Sequence, residues 1–213
     1  MSVSTSSGVE RHASWLELFF DLVFVVVVAA LAGQLHEDHS VLGLAVFAGL
    51  FVPVWWCWRS FTWYATGYSD DPRCRIGLLA GMLGVAVLSI GVAGAAGEGE
   101  SRTFVLAYVG LLIILGGLYG RIWLLFPAAR SLARRYVLGY AVGAVIWSAS
   151  LALQEGARPW LWAVAMVVLI ATPVAVLRQP RRAYHAAHIA ERYGLFTIIV
   201  LGESVVVTVS GLD

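Results

Sequence analysis

The sequence predicts an all-α fold: a polytopic transmembrane helical bundle of about seven spans, with its N-terminus in the cytoplasm. Three observations predict it. First, 60% of the 213 residues are hydrophobic and only 13% are charged, against roughly 25% charged in a soluble domain. A soluble globule of this size cannot hide so much apolar surface, and a mean hydropathy of +0.83 points the same way. Second, the apolar residues gather into long stretches separated by short polar linkers. Third, the arginines concentrate in alternate linkers. This composition excludes a cytosolic enzyme, a nucleic-acid-binding domain and a disordered chain.

A helix crosses the hydrocarbon core with about 20 apolar residues. The first predicted span, Trp15–Leu35, follows a polar tail, residues 1–14. Ala30-Leu31-Ala32 resembles a signal-peptide cleavage site, but Glu17 and Asp21 interrupt what would be its apolar region, so the span is read as retained. After HEDHS comes Val41–Trp63, whose end carries Trp55, Trp56, Trp58, Trp63 and Tyr64, read as an aromatic belt at the membrane interface. SDDPR leads to Ile76–Gly97. EGES leads to Thr103–Phe126, where Gly110, Gly116, Gly117 and Gly120 read as sites of close helix packing. AARSLARR precedes Tyr136–Leu153, and EGARP precedes Trp160–Leu177. The polar linker RQPRRAYHAAHIAER precedes the last span, Tyr193–Leu212. Residues 15–213 are thus expected to form one transmembrane domain. The short alternating strands of a membrane barrel do not occur in the pattern.

Arginine placement sets the expected orientation. With the N-terminus inside, Arg11, Arg73, Arg75, Arg130, Arg134, Arg135, Arg178, Arg181, Arg182 and Arg192 lie inside, and only Arg102 and Arg158 lie outside. The expected location is a membrane with its N-terminal side in the cytoplasm, and the lipid bilayer is the first partner.

Ionisable groups inside a bilayer cost about 2.5–3.5 kcal/mol each on insertion scales, so each is a functional candidate. Glu17, Asp21, Arg59, Arg121 and Glu203 fall inside the predicted spans. At 1.5 Å per residue, Glu17 lies at the inner interface and Asp21 roughly 9 Å deep. The two are four residues apart and share a helix face. Arg59 and Arg121 fall at a similar level and are the cations available to face them. Structural alternatives stand beside this reading: buried ion pairs that only fix helix assembly, and an Arg59 that reaches to the headgroups. Glu203 lies roughly 15 Å deep, near the bilayer centre, flanked by Gly202 and Ser204. A dry carboxyl at that depth suits a proton carrier. The helix entering the last span carries His185, His188 and Glu191 at three-residue steps. This is a weak metal pattern, and more simply the polar face of an interfacial helix. No nucleophile elbow, HExxH, P-loop, dinucleotide fingerprint or CxxC occurs. No catalytic residue, metal or cofactor is assigned.

Three stretches carry a family resemblance. Trp15-Leu-Glu-Leu-Phe-Phe-Asp-Leu-Val-Phe-Val at one end, and His188-Ile-Ala-Glu-Arg-Tyr-Gly-Leu-Phe-Thr-Ile-Ile-Val-Leu-Gly-Glu-Ser at the other, closely resemble motifs of the bacterial low temperature requirement A family. Trp63-Tyr-Ala-Thr-Gly-Tyr-Ser-Asp-Asp-Pro-Arg-Cys-Arg, with Met82 beyond it, resembles the family's second-loop pattern. The resemblance covers nearly the whole chain. It implies a polytopic bacterial membrane protein linked by name to growth at low temperature, and it names no reaction. It marks Glu17, Asp21, Asp71, Arg75, His188, Glu191, Arg192 and Glu203 as motif positions. Family members usually continue with further spans after Gly-Glu-Ser, so a short or truncated member is expected.

Three functions follow from these residues. The first is a proton- or cation-linked transporter or channel-like protein, with Glu203, Asp21 and Glu17 on the pathway. Arg121, Arg59 and Arg192 are its charge partners, and a small ion or solute is its cargo. The second is a non-catalytic membrane scaffold or stress sensor. The third is a membrane-embedded lipid- or metal-dependent enzyme. No nucleic-acid partner is expected, and self-association into a homo-oligomer stays open.

Overall fold

The computed structural model describes residues 14–68, 72–174 and 186–210, apart from the side chains of residues 98, 174, 186–188 and 203–210. Its regular elements are helices, with no strand among the described residues. They are α1 (Trp15–Glu37), α2 (Val41–Tyr68), α3 (Pro72–Ile90), α4 (Arg102–Leu125), α5 (Arg130–Ser150), α6 (Arg158–Val174) and α7 (Ala186–Ser210).

Local chemistry explains where several of them begin. Ser14 caps α1: the Glu17 amide donates to the Ser14 hydroxyl at 3.3 Å, and the Glu17 carboxylate accepts from the Ser14 amide at 2.8 Å. This reciprocal pair satisfies two backbone donors that an uncapped helix end would leave open. Ser40 does similar work for α2, accepting from the Gly43 amide at 3.0 Å. Pro72 opens α3, where its missing N–H costs nothing. α3 stops at Ile90, short of the predicted Gly97. A π-turn, Gly94–Glu98, follows, and Gly97 adopts φ 112°, a left-handed conformation that favours glycine. α2 continues beyond Trp63 to Tyr68, and α5 starts at Arg130 rather than Tyr136. Hydropathy marks the apolar part of a helix, whereas polar turns extend it into the headgroup region.

Five stretches are long and apolar enough to cross a membrane among the described residues: α1 to α4, and Glu155–Pro173 around α6. Large apolar side chains such as Leu83, Ile113, Val145 and Val167 point outward, as lipid contact requires. Inside, α4 packs on α3 and α5, α5 packs on α6, and α1 lies against α2, α3 and α7.

Between helices in lipid, close packing and hydrogen bonding supply the cohesion. Trp147 of α5 stacks on Trp162 of α6 at 5.1 Å and 13°. The Ser150 hydroxyl accepts from the Trp162 indole at 3.0 Å and donates to the Trp147 carbonyl at 2.6 Å. The close-packing glycines are not those expected in the fourth span. A Cβ on Gly110 or Gly117 would meet nothing within 4 Å, and on Gly116 or Gly120 only ordinary contact. The tight positions are on the neighbours: Gly77 and Gly84 of α3 receive Leu118 and Leu111 of α4, and Gly143 of α5 receives Leu169 of α6. Small residues serve packing only on the face that meets a neighbour.

Candidate functional site

The beginnings of α1 and α7 and the last third of α2 meet at one end of the bundle. Asp21 of α1 sits one turn after Glu17 and lies on the buried face with Phe20 and Phe24. Arg192 of α7 reaches it with two donors: Nε to Oδ2 at 3.3 Å, and Nη2 to Oδ1 in a direct ion pair. Nη2 also donates to the Glu17 carbonyl at 3.5 Å. From α2, Trp58 donates its indole N–H to Asp21 Oδ1 at 2.7 Å. The Trp58 ring stacks on Phe196 at 4.1 Å and meets Tyr193 edge-on at 4.9 Å, both from α7.

Asp21, Trp58 and Arg192 are each 0% exposed. Withdrawing two charges completely costs several kcal/mol per ion, which only good geometry and further hydrogen bonds offset. Here a fork of two guanidinium donors and an indole donor meet one carboxylate, a charge-assisted arrangement. One guanidinium nitrogen of Arg192, Nη1, is buried with no hydrogen-bond partner among the described residues.

The other sequence candidates distribute as follows. Glu17 is buried, and its carboxylate serves the α1 cap. Arg59 is half-buried and does not reach Asp21. Its guanidinium carbon lies 4.4 Å from the Trp56 ring centre and 5.2 Å from that of Trp63, a cation–π clasp on its own helix. Arg121, near the end of α4, lies within electrostatic reach of the Tyr64 hydroxyl. Asp21 therefore takes its cation from α7, not from α2 or α4. Arg75 is exposed in the first turn of α3, and Glu191 is exposed on α7. Glu203 and His188 belong to α7, but their side chains lie outside the described residues, as do Asp71 and His185 altogether.

The aromatic belt does not hold as read. Trp58 and Tyr64 are wholly or almost wholly buried, and Trp56 nearly so. Trp15 and Trp160, at the starts of α1 and α6, are the exposed indoles that suit an interface. Trp58, Tyr193 and Phe196 are neighbours of the Asp21–Arg192 pair that the sequence did not single out for it. Ser14-x-x-Glu17 was a legible capping signature that assigns Glu17 a local structural task.

The family model for the bacterial low temperature requirement A protein, LtrA, matches residues 12–213. The chain belongs to the LtrA family. Both motif-bearing ends of this LtrA chain lie in the matched region, and they supply Asp21 and Arg192, the two halves of the buried pair. An uncharacterized protein of Rhizobium meliloti (strain 1021) is 31% identical over 212 residues, covering 92% of this chain and 50% of that protein. The LtrA chain thus spans about half the length of this curated relative. No solved structure matches it. Family membership and the membrane-length helices make the protein an integral membrane protein of this bacterial family.

Proposed function

We propose that this LtrA chain is a proton- or cation-linked transporter or channel-like protein of the bacterial inner membrane, with Asp21 and Arg192 as its charge-handling pair. One observation carries the reading: an ion pair wholly withdrawn from solvent joins α1 and α7, two helices far apart in sequence. Intramembrane charges are costly and line ion or proton pathways where they occur. Protonating Asp21 removes its charge and weakens its hold on Arg192. Occupancy by a proton is thereby coupled to the contact between α1 and α7, which is the element a two-state carrier needs. Glu203 on α7 is the candidate carrier further along the same helix, and Glu17 stands at the pair's outer flank.

The test is flux in proteoliposomes of the purified full chain, read with an internal pH dye under an imposed potassium diffusion potential. Proton or cation flux is expected in the wild type and is expected to fall in Asp21→Asn and Glu203→Gln. Arg59→Gln keeps it. Flux indistinguishable from empty liposomes for protons, sodium and potassium overturns the reading, as does undiminished flux in both acid variants.

A second reading, a non-catalytic scaffold, is favoured by how completely Asp21 is hydrogen-bonded and by the capping task of Glu17. On that reading, neutralising Asp21 lowers stability and alters no flux.

A further inference from the structure

The end of the bundle opposite the Asp21–Arg192 pair contains a cavity of about 340 Å³. Its size falls in the range of small-molecule sites, roughly 300–1,000 Å³. It is walled by the last turns of α1 and its cap, the first turns of α2, and the π-turn after α3. Counting along α1 from Asp21 to Glu37 puts roughly 24 Å between it and the ion pair.

The lining divides by chemistry. Leu31 and Leu50 are buried, and with Val46 and Phe47 they make an apolar wall. Gln34 and the exposed acids Glu37 and Asp38 line the other side, and no arginine lines it among the described residues. Asp38 Oδ1 accepts from the Ser40 amide at 2.9 Å, which fixes the carboxylate in place and leaves further lone pairs for a ligand. Two glycines shape the walls. A Cβ on Gly43 would collide with the Asp38 carbonyl and carboxylate, so glycine lets α2 begin hard against the cap of α1. Gly97, at φ 112°, contributes bare backbone.

This lining selects a ligand class. Two carboxylates repel an anion. A bare divalent cation asks for six or more oxygens around it, and the wall of Leu31, Val46, Phe47 and Leu50 offers it none on that side. A molecule with an ammonium head and a short hydrocarbon tail matches both halves. We propose that this cavity binds a small organic cation of the alkylammonium type, with the ammonium on Glu37 and Asp38 and the tail against Leu31, Leu50 and Phe47. The site is separate from the ion pair, and its occupancy does not depend on the chain moving an ion.

Calorimetric titration of the purified full chain in uncharged detergent tests this without any flux measurement. The ligand is n-butylammonium, compared with butyrate, 1-butanol and sodium. Saturable butylammonium binding is expected, with butyrate and butanol clearly weaker and sodium unable to displace it at equal concentration. Glu37→Gln and Asp38→Asn alter exposed groups, and the asparagine keeps the acceptor for Ser40. Each is expected to weaken binding by up to about fivefold, and the double variant by roughly tenfold or more. Val46→Trp fills the cavity and should remove binding with both carboxylates intact. If it fails to fold, the double variant decides. Absence of butylammonium binding, or unchanged binding in the double variant, overturns the proposal. So does butanol binding as tightly as the amine, which makes the cavity a plain hydrocarbon pocket.

Discussion

The indole N–H of Trp58 donates to the carboxylate of Asp21 at 2.7 Å, with both side chains wholly withdrawn from solvent. This bond ties α2 to α1, while the face of the same indole lies on Phe196 of α7. Trp58→Phe keeps an aromatic ring and removes the donor. A lost hydrogen bond to a buried charge costs about 1.5–3 kcal/mol. Denaturation of the purified protein in mixed micelles should show a loss of that size. A loss under about 0.5 kcal/mol would mean the bond adds nothing net.

Asp21 and Arg192 should behave as one unit. Removing either partner of a buried pair leaves a stranded charge and costs about 3–5 kcal/mol. Asp21→Asn and Arg192→Met should each approach that loss, and the double variant should lose much less than their sum. A double-mutant cycle in folding stability reads the coupling, expected at about 1.5–3 kcal/mol. Additive losses would contradict the pairing.

The contact of α5 with α6 depends on Gly139. A Cβ there would run into the Thr172 side chain, whose hydroxyl is anchored on the Val168 carbonyl at 2.9 Å. Gly139→Ala should therefore cost about 1–3 kcal/mol. Gly117→Ala, where nothing lies within 4 Å, should be neutral or slightly stabilising. Thermal unfolding of the two variants side by side checks the contrast, and equal effects would refute it.

A polar clamp closes the cavity end of the α4–α6 region. The buried Ser101 hydroxyl donates to Glu155 at 2.7 Å and accepts from Arg158 at 2.9 Å, and Arg158 is ion-paired with Glu155. Ser101→Ala should cost about 1 kcal/mol. Glu155→Gln, whose carboxylate is half exposed, should cost under about 1 kcal/mol, and less still in high salt. The order of these two losses, measured at two salt concentrations, is the check.

At the exposed turn after α1, hydrogen bonds from the Ser40 hydroxyl and amide hold the Asp38 carboxyl below the usual aspartate range. A lowered folded value means a stabilising contribution that is present at neutral pH. That contribution disappears as pH falls below the ordinary value, about 3.9, through the folded one. Carboxyl-carbon NMR of labelled protein in micelles should show Asp38 titrating low, and Ser40→Ala should move it upward.

Much of the fold was legible along the chain. An apolar run of membrane length must be helical, because in lipid each backbone group has to be satisfied within its own segment. Glu17 and Asp21 were legible as inward-facing because helical spacing is local. The identity of their partner was not. Arg59, Arg121 and Arg192 all fall near one membrane level, and depth alone cannot choose among them. The two stand 171 positions apart, and nothing in the chain between them carries a periodicity that links them. Trp58 was misread for a related reason: a position near the membrane edge says nothing about which side of the helix faces inward.

Read along the chain, the residues place this protein in a bilayer, send helices across it and put its unusual charges in two motif-bearing ends. Packing of the bundle set α1 against α7, brought Asp21 to Arg192 and Trp58, and formed the cavity at the far end. The division has a physical cause. Burial, capping and helix formation depend on residues within a few turns. The rotation of each helix and its choice of neighbours depend on surfaces that meet only after the whole bundle has packed.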